Sequence, residues 1–191
     1  SGEYLGCLTL VAVGLMLAAA AADLVLLFLA LELISIPTYV LLFLGRRDSA
    51  SLEATTKYFY LSILSSALLL YGFSFLYGAS GSTQLVEIRN HLAAAASAGE
   101  IGLLPIAIVL ILAGLAFKIA AVPFHFYAPD VYQGTTNANA GLLAVAPKIV
   151  GMVALTRLLV AAVPAVTDFG WQLALVMSLL TMTLGKLCAL W

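Results

Sequence analysis

Long uncharged runs separated by short polar knots dominate the chain. Tyr4 to Ala22 is 19 residues without a charge and closes at Asp23. Leu24–Leu44 follows almost directly and stops at Gly45-Arg46-Arg47-Asp48. The 29 consecutive uncharged residues from Tyr58 to Val86 place a third run at about Ser51–Tyr77, ending in Gly78-Ala79-Ser80-Gly81-Ser82. A fourth covers about Ile101–Val122 and meets Pro123. A fifth covers about Ala140–Val163, and a sixth begins at Trp171 after a turn from Pro164 to Gly170. Two longer polar connections lie between runs, residues 79–100 and Ala128 to Asn139. A bilayer core of about 30 Å needs about 20 apolar helical residues, so each run predicts one membrane-crossing helix. Barrel strands are excluded, because they use only about ten alternating residues. The prediction is an all-α, polytopic transmembrane helix bundle of six spans, one membrane domain over residues 1–191.

Composition sharpens this. The 191 residues are 64% hydrophobic and 9% charged, with a mean hydropathy of +1.14. A soluble domain carries about 25% charged residues, so a water-soluble enzyme and a disordered chain are excluded. Eight basic and nine acidic residues give a net charge of −1. No basic patch is available to attract nucleic acid. The lipid bilayer is therefore the first expected partner. The chain starts Ser1-Gly2-Glu3 and closes on Trp191 within an apolar run, so the expectation is an internal piece of a longer membrane protein. Tyr4–Ala22 lacks the basic lead of a signal peptide. With six spans, Arg46, Arg47 and Lys57 share the N-terminal side, while Arg89 and Arg157 lie opposite. The positive-inside rule then puts the 45–57 loop in the cytoplasm.

Four ionisable residues interrupt the runs: Glu32, Lys118, Lys148 and Lys186. Each costs roughly 2.5–3.5 kcal/mol at a helix centre, so such groups face protein or water, or pair. A carboxylate near a lysine favours both charged forms, and burial opposes both. Where the two effects nearly cancel, a small change in the surroundings moves a proton. One reading is a titratable relay through Glu32, Lys118 and Lys148. The alternative is a static ion pair that fixes helix packing, with Lys148 bonded only to helix carbonyls. Lys186 has the further option of snorkelling. Pro37 and Pro123 each follow a charged residue by five positions, and Pro147 precedes Lys148. Interior prolines free backbone carbonyls, which predicts broken helices near the charges and a discontinuous helix at Lys118–Pro123. His125 could carry a proton between Lys118 and Lys148, because its reference pKa lies near neutrality. It could equally be a histidine at a span end, bonded to a carbonyl. No metal site is expected from a lone histidine. Cys7 and Cys188 read as small buried hydrophobes.

Several stretches are recognisable. Ala30-Leu31-Glu32-Leu33-Ile34-Ser35 with Tyr39-Val40-Leu41 resembles the fifth-helix motif of the antiporter-like subunits of respiratory complex I. Glu53-Ala54-Thr55-Thr56-Lys57-Tyr58-Phe59, Ser65-Ser66-Ala67 and Leu70-Tyr71-Gly72 are most similar to the subunit N (chain 2) branch. So is Leu76 to Ser82. The most specific match runs through Phe117-Lys118-Ile119-Ala120-Ala121-Val122-Pro123-Phe124-His125 and Ala128-Pro129-Asp130-Val131-Tyr132-Gln133-Gly134. Ala146-Pro147-Lys148-Ile149 matches the eighth-helix lysine motif. The resemblance covers Tyr4 to Trp191 and implies helices four to nine of a longer subunit.

It further implies that Glu32 and Lys118 are the paired charges of the fifth and broken seventh helices. Lys148 would then be the central lysine of the eighth. The implied activity is proton translocation in NADH:quinone oxidoreductase, with no cofactor in this chain. NADH, FMN, iron–sulfur clusters and quinone would belong to partner subunits, in a bacterial inner membrane. Thr135 to Gly141 departs from the family's proline-rich segment, which bears on how the Lys148 helix begins. Lys186 stands where relatives carry Asn and takes no family role. The rival readings are a subunit of a multisubunit cation/proton antiporter and a structural membrane subunit with static ion pairs.

Overall fold

The computed structural model describes residues 2–45, 48–98, 102–162 and 167–190. Arg46, Arg47, Glu100, Ile101, Val163, Pro164 and Trp191, which figure in the expected loops and span ends, lie outside the described residues. The chain forms helices α1 (Gly2–Ala20), α2 (Leu24–Phe43), α3 (Ser49–Ser80), α4 (Leu85–Ser97), α5 (Leu104–Ile119), α6 (Ala128–Gln133), α7 (Asn137–Thr156) and α8 (Thr167–Leu190). A π-helical turn, Arg157–Ala162, extends α7.

Among the described residues, five helices, α1, α2, α3, α7 with its extension, and α8, are long and apolar enough to cross a membrane. The fourth expected span is shorter than its apolar run. Its 16 residues of helix α5 reach only about 24 Å at 1.5 Å per residue. The helix ends because Ala120 turns into the left-handed region at φ 56°. Ala121 N–H then bonds the Ala116 carbonyl at 2.8 Å, and Ala120 N–H bonds Phe117 at 3.0 Å. This bonding pattern is a Schellman stop. A turn through residues 121–127 leads into α6, so the predicted discontinuity is present.

Three expectations change. The 79–100 connection contains α4, a helix whose Leu85, Ile88 and Leu92 are buried. Their three- and four-residue spacing hides among polar neighbours, and no long apolar run announces it. Part of the 128–139 stretch is likewise helical, as α6. In addition, α3 begins at Ser49, so Lys57 stands within a helix and not in a 45–57 loop. At 32 residues α3 is about 48 Å long. It therefore outreaches a bilayer core at the end that carries Glu53 and Lys57.

Prolines do not act uniformly. Pro37 and Pro147 both lie inside continuous helices, contrary to the expectation of broken backbones there. Of these three prolines, Pro123 alone follows a broken segment, which breaks at Ala120.

The core joins α1, α2, α3, α4, α5 and α7 through residues such as Leu27, Leu31, Leu69, Leu76, Leu115 and Leu158. α3 and α5 approach closely: a Cβ at Gly114 would stand 2.8 Å from the Ser65 carbonyl. A second cluster of Leu42, Tyr58, Phe117, Tyr127, Val131 and Leu143 supports the turn after α5. By contrast, α8 exposes most of its side chains, Lys186 and Cys188 included. Cys7 is buried, whereas Cys188 is not the buried hydrophobe expected.

The two ends of the bundle are tied separately. Asp23 caps α2 by accepting from Val25 N–H at 2.7 Å and Leu26 N–H at 3.3 Å, and the Thr83 hydroxyl also donates to it. Arg157 donates to the Ala19 and Ala21 carbonyls, which lie at and just beyond the α1 C-terminus. At the other end Asn139 donates to the Leu41 carbonyl at 2.7 Å, one that the α2 C-terminus would otherwise leave unpaired. Tyr4 donates to Asn139 Oδ1 at 3.2 Å, and Thr136 caps α7 by accepting from Asn139 N–H at 3.4 Å. The atypical 135–141 segment thus begins the Lys148 helix with a hydroxyl cap and a buried amide.

Burial works against the Asp23 carboxylate. The Thr83 hydroxyl and the Val25 and Leu26 N–H groups outweigh it and hold the carboxyl below its usual value. Its stabilising contribution is therefore complete above the ordinary carboxylate range and disappears as pH falls through the lowered native value. Asp23→Ala is expected to cost about 0.5–2 kcal/mol. Thermal unfolding in detergent should show this loss at neutral pH, with the difference from wild type shrinking in acid.

Candidate functional site

Glu32 and Lys118 meet at the centre of the bundle, 86 positions apart in sequence. Glu32 sits at the middle of α2, with Ser35 one turn further on. Lys118 is in the last turn of α5, where a cation also favours the C-terminal end of the helix dipole. Lys118 Nζ is 3.4 Å from Glu32 Oε1, and the side chains are 3% and 21% exposed. The lysine donates to Ser35 Oγ at 2.8 Å and to Ser66 Oγ at 3.5 Å. Ser66 in turn donates to Glu32 Oε1 at 2.5 Å. Two charges and two hydroxyls thus form one closed network. The acid and the base are near enough to share or exchange a proton, and the hydroxyls solvate either form.

Further hydroxyls lie nearby on the same pair of helices. Tyr39 donates to Ser62 at 2.6 Å, and Thr38 is buried beside them. Ser65 donates to the Gly114 carbonyl at 2.8 Å and so fastens α3 to α5. Charge and apolar patterning single out none of Ser35, Ser62 and Ser66. Their signal was available: Ser35 lies three residues after Glu32, and a serine cluster interrupts an otherwise apolar span.

Lys148 occupies a separate position on α7. Its ammonium donates to the Tyr132 hydroxyl at 2.7 Å and to the Leu143 carbonyl at 2.9 Å. Leu143 is the residue whose helical donor Pro147 cannot supply, so the lysine compensates for the proline beside it. Bonding to a helix carbonyl was the bland alternative for Lys148, and it is present alongside the tyrosine. A Cβ on Gly151, one turn beyond Lys148, would lie 2.5 Å from Ile119 Cγ2 and 3.7 Å from Lys118 Cβ. The lysine-bearing turns of α5 and α7 are therefore neighbours. Lys148 also borders a cavity of about 330 Å³ between α5, α7 and α8, with Ser178 and Thr181 on its wall.

His125 lies in the turn after α5. Its Nδ1 is buried without a hydrogen-bond partner among the described residues, and it bonds neither lysine. Lys186 is exposed on α8 and has no partner among the described residues.

Among the described residues, five membrane-length helices, a broken α5–α6 crossing and a buried acid–base network on it define a polytopic helical membrane protein with an internal acid–base site. Comparison with known proteins narrows this. Residues 21–191 match the family described as NADH:quinone oxidoreductase/Mrp antiporter, transmembrane, and the chain belongs to that family. NADH-quinone oxidoreductase subunit N of Desulfovibrio desulfuricans is 40% identical over 99% of this chain and 38% of its own length. The subunit N of Beutenbergia cavernae is 45% identical over 93% of this chain and 33% of its own length. A chain of respiratory complex I from Thermus thermophilus with bound aureothin superposes with a TM-score of 0.81. It is 35% identical and covers 100% of this chain and 40% of its own. This chain therefore spans well under half the length of these relatives.

Proposed function

We propose that this chain supplies a proton-translocating half-channel to the membrane arm of a NADH:quinone oxidoreductase in a bacterial inner membrane. The Glu32–Ser66–Lys118–Ser35 network on the broken crossing is the observation that carries this reading. Glu32 and Lys118 share a proton site. Ser35 and Ser66 keep both charge states solvated, and Lys148 is the next station beyond the α5–α7 contact. Charge movement in partner membrane subunits, driven by quinone reduction, shifts the balance between Glu32 and Lys118 and so moves protons. NADH, flavin, iron–sulfur and quinone chemistry belong to those partners, and this chain binds none of them. His125, whose buried Nδ1 has no partner among the described residues, is a second relay group near the break.

Lys148→Met tests the reading in membrane vesicles that carry the assembled complex. Quinone-coupled proton uptake is expected to collapse, while NADH oxidation by an artificial acceptor, which reports assembly, stays at the wild-type level. Normal proton uptake at normal assembly would leave Lys148 a purely structural group.

A further inference from the structure

Lys148 is held by a residue from outside its own helix. Tyr132 comes from α6, which is only six residues long and has too few internal bonds to hold itself in place. Its position is imposed by neighbours. Lys57 on the head of α3 bonds Asp130 and Glu53, both at 2.8 Å. Val131 is 1% exposed in the aromatic cluster with Tyr58 and Phe117. Gly134, just after α6, leaves so little room that a Cβ would stand 2.5 Å from Ala54 Cβ of α3. From this fixed platform the Tyr132 hydroxyl reaches Lys148 Nζ at 2.7 Å, with the ammonium 5.3 Å from the ring centre.

The two partners of Lys148 differ in chemistry. The Leu143 carbonyl can only accept a hydrogen bond, whereas a phenol hydroxyl accepts from an ammonium and donates to the lone pair of a neutral amine. We propose that Tyr132 is the positioning residue that adapts to both charge states of Lys148, held in register from the membrane surface by the Lys57–Asp130 pair. The hydroxyl reverses its hydrogen bond as Lys148 gains or loses its proton and keeps its own proton throughout. The inference rests on the relay reading of Lys148. The elements packed against α7 carry other titratable or charged groups: Lys118 on α5, Glu32 and Tyr39 on α2, Glu3, Tyr4 and Cys7 on α1, Asp130 on α6, and Arg157 on the π-helical turn, which donates to the Ala19 and Ala21 carbonyls. None of these bonds Lys148; Tyr132 does.

The test is the pH profile of quinone-coupled proton uptake in vesicles bearing the assembled complex with the full-length subunit. Tyr132→Phe keeps the ring and removes the hydroxyl. The ammonium loses a charge-assisted bond, and such bonds are stronger than neutral ones. The alkaline limb of the profile is therefore expected to move to lower pH by about one unit. Asp130→Ala, at the exposed surface, should move it the same way by less, and Asp130→Glu should restore it. Asp130→Ala also carries the test if the Tyr132→Phe complex does not assemble. A wild-type profile in both variants, or a uniform loss of rate without a shift, overturns the proposal provided Lys148→Met is inactive. Normal pumping in Lys148→Met instead removes the relay reading beneath it.

Discussion

Glu32→Gln is expected to leave the complex assembled and to slow quinone-coupled proton uptake by roughly 10²-fold or more, the usual cost of losing a proton-transfer group. The amide retains an oxygen that can accept from Ser66 at the 2.5 Å position and from Lys118 Nζ, 3.4 Å away. Lys118 also keeps Ser35 at 2.8 Å. The packing therefore changes little, while the group that takes up and releases a proton is gone. Proton uptake by inverted vesicles during quinone reduction is the readout, and unaltered coupling would refute a relay through Glu32.

Lys118→Met should be the more damaging change. A methionine offers Glu32 and Ser35 no donor, so the carboxylate keeps Ser66 alone. Breaking one side of a buried ion pair costs about 3–5 kcal/mol. Glu32 retains 21% exposure against 3% for Lys118, which puts the cost at the lower end of that range. Less complex should assemble, as judged by the amount of intact complex recovered in mild detergent. The fraction that does assemble should not pump.

The crossing helices were legible because lipid demands length and apolarity, and both are written in the residue order. The expected Leu24–Leu44 span and the observed Leu24–Phe43 helix differ by one residue for that reason. α4 and α6 were not legible, because they are short and partly polar. Burial of Ile88 or Val131 depends on neighbours that only the folded chain supplies. The break between Lys118 and Pro123 was legible from the proline, but its place at Ala120 was not, since an alanine at φ 56° leaves no mark of the kind a glycine would.

The site divides in the same way. Costly charges in apolar runs singled out Glu32, Lys118 and Lys148, and the family resemblance implied the pairing that the structure shows. The hydroxyls that complete the network were hidden by their ordinariness, as serine and tyrosine are unremarkable in a span. Tyr132 was hidden because it belongs to a segment read as a polar connection. The proline effect was legible in kind only at Pro147, where the freed Leu143 carbonyl has its donor in Lys148.

The central claim is that the buried pair moves protons and does not merely hold α2 to α5. The double variant Glu32→Gln/Lys118→Met separates these roles, because removing both charges leaves neither one buried alone, and such replacements are often neutral for stability. The decisive measurement is the number of protons taken up per quinone reduced by this variant in its assembled complex. Assembly should recover relative to Lys118→Met while proton uptake stays abolished. Wild-type proton stoichiometry in the assembled double variant would contradict the account.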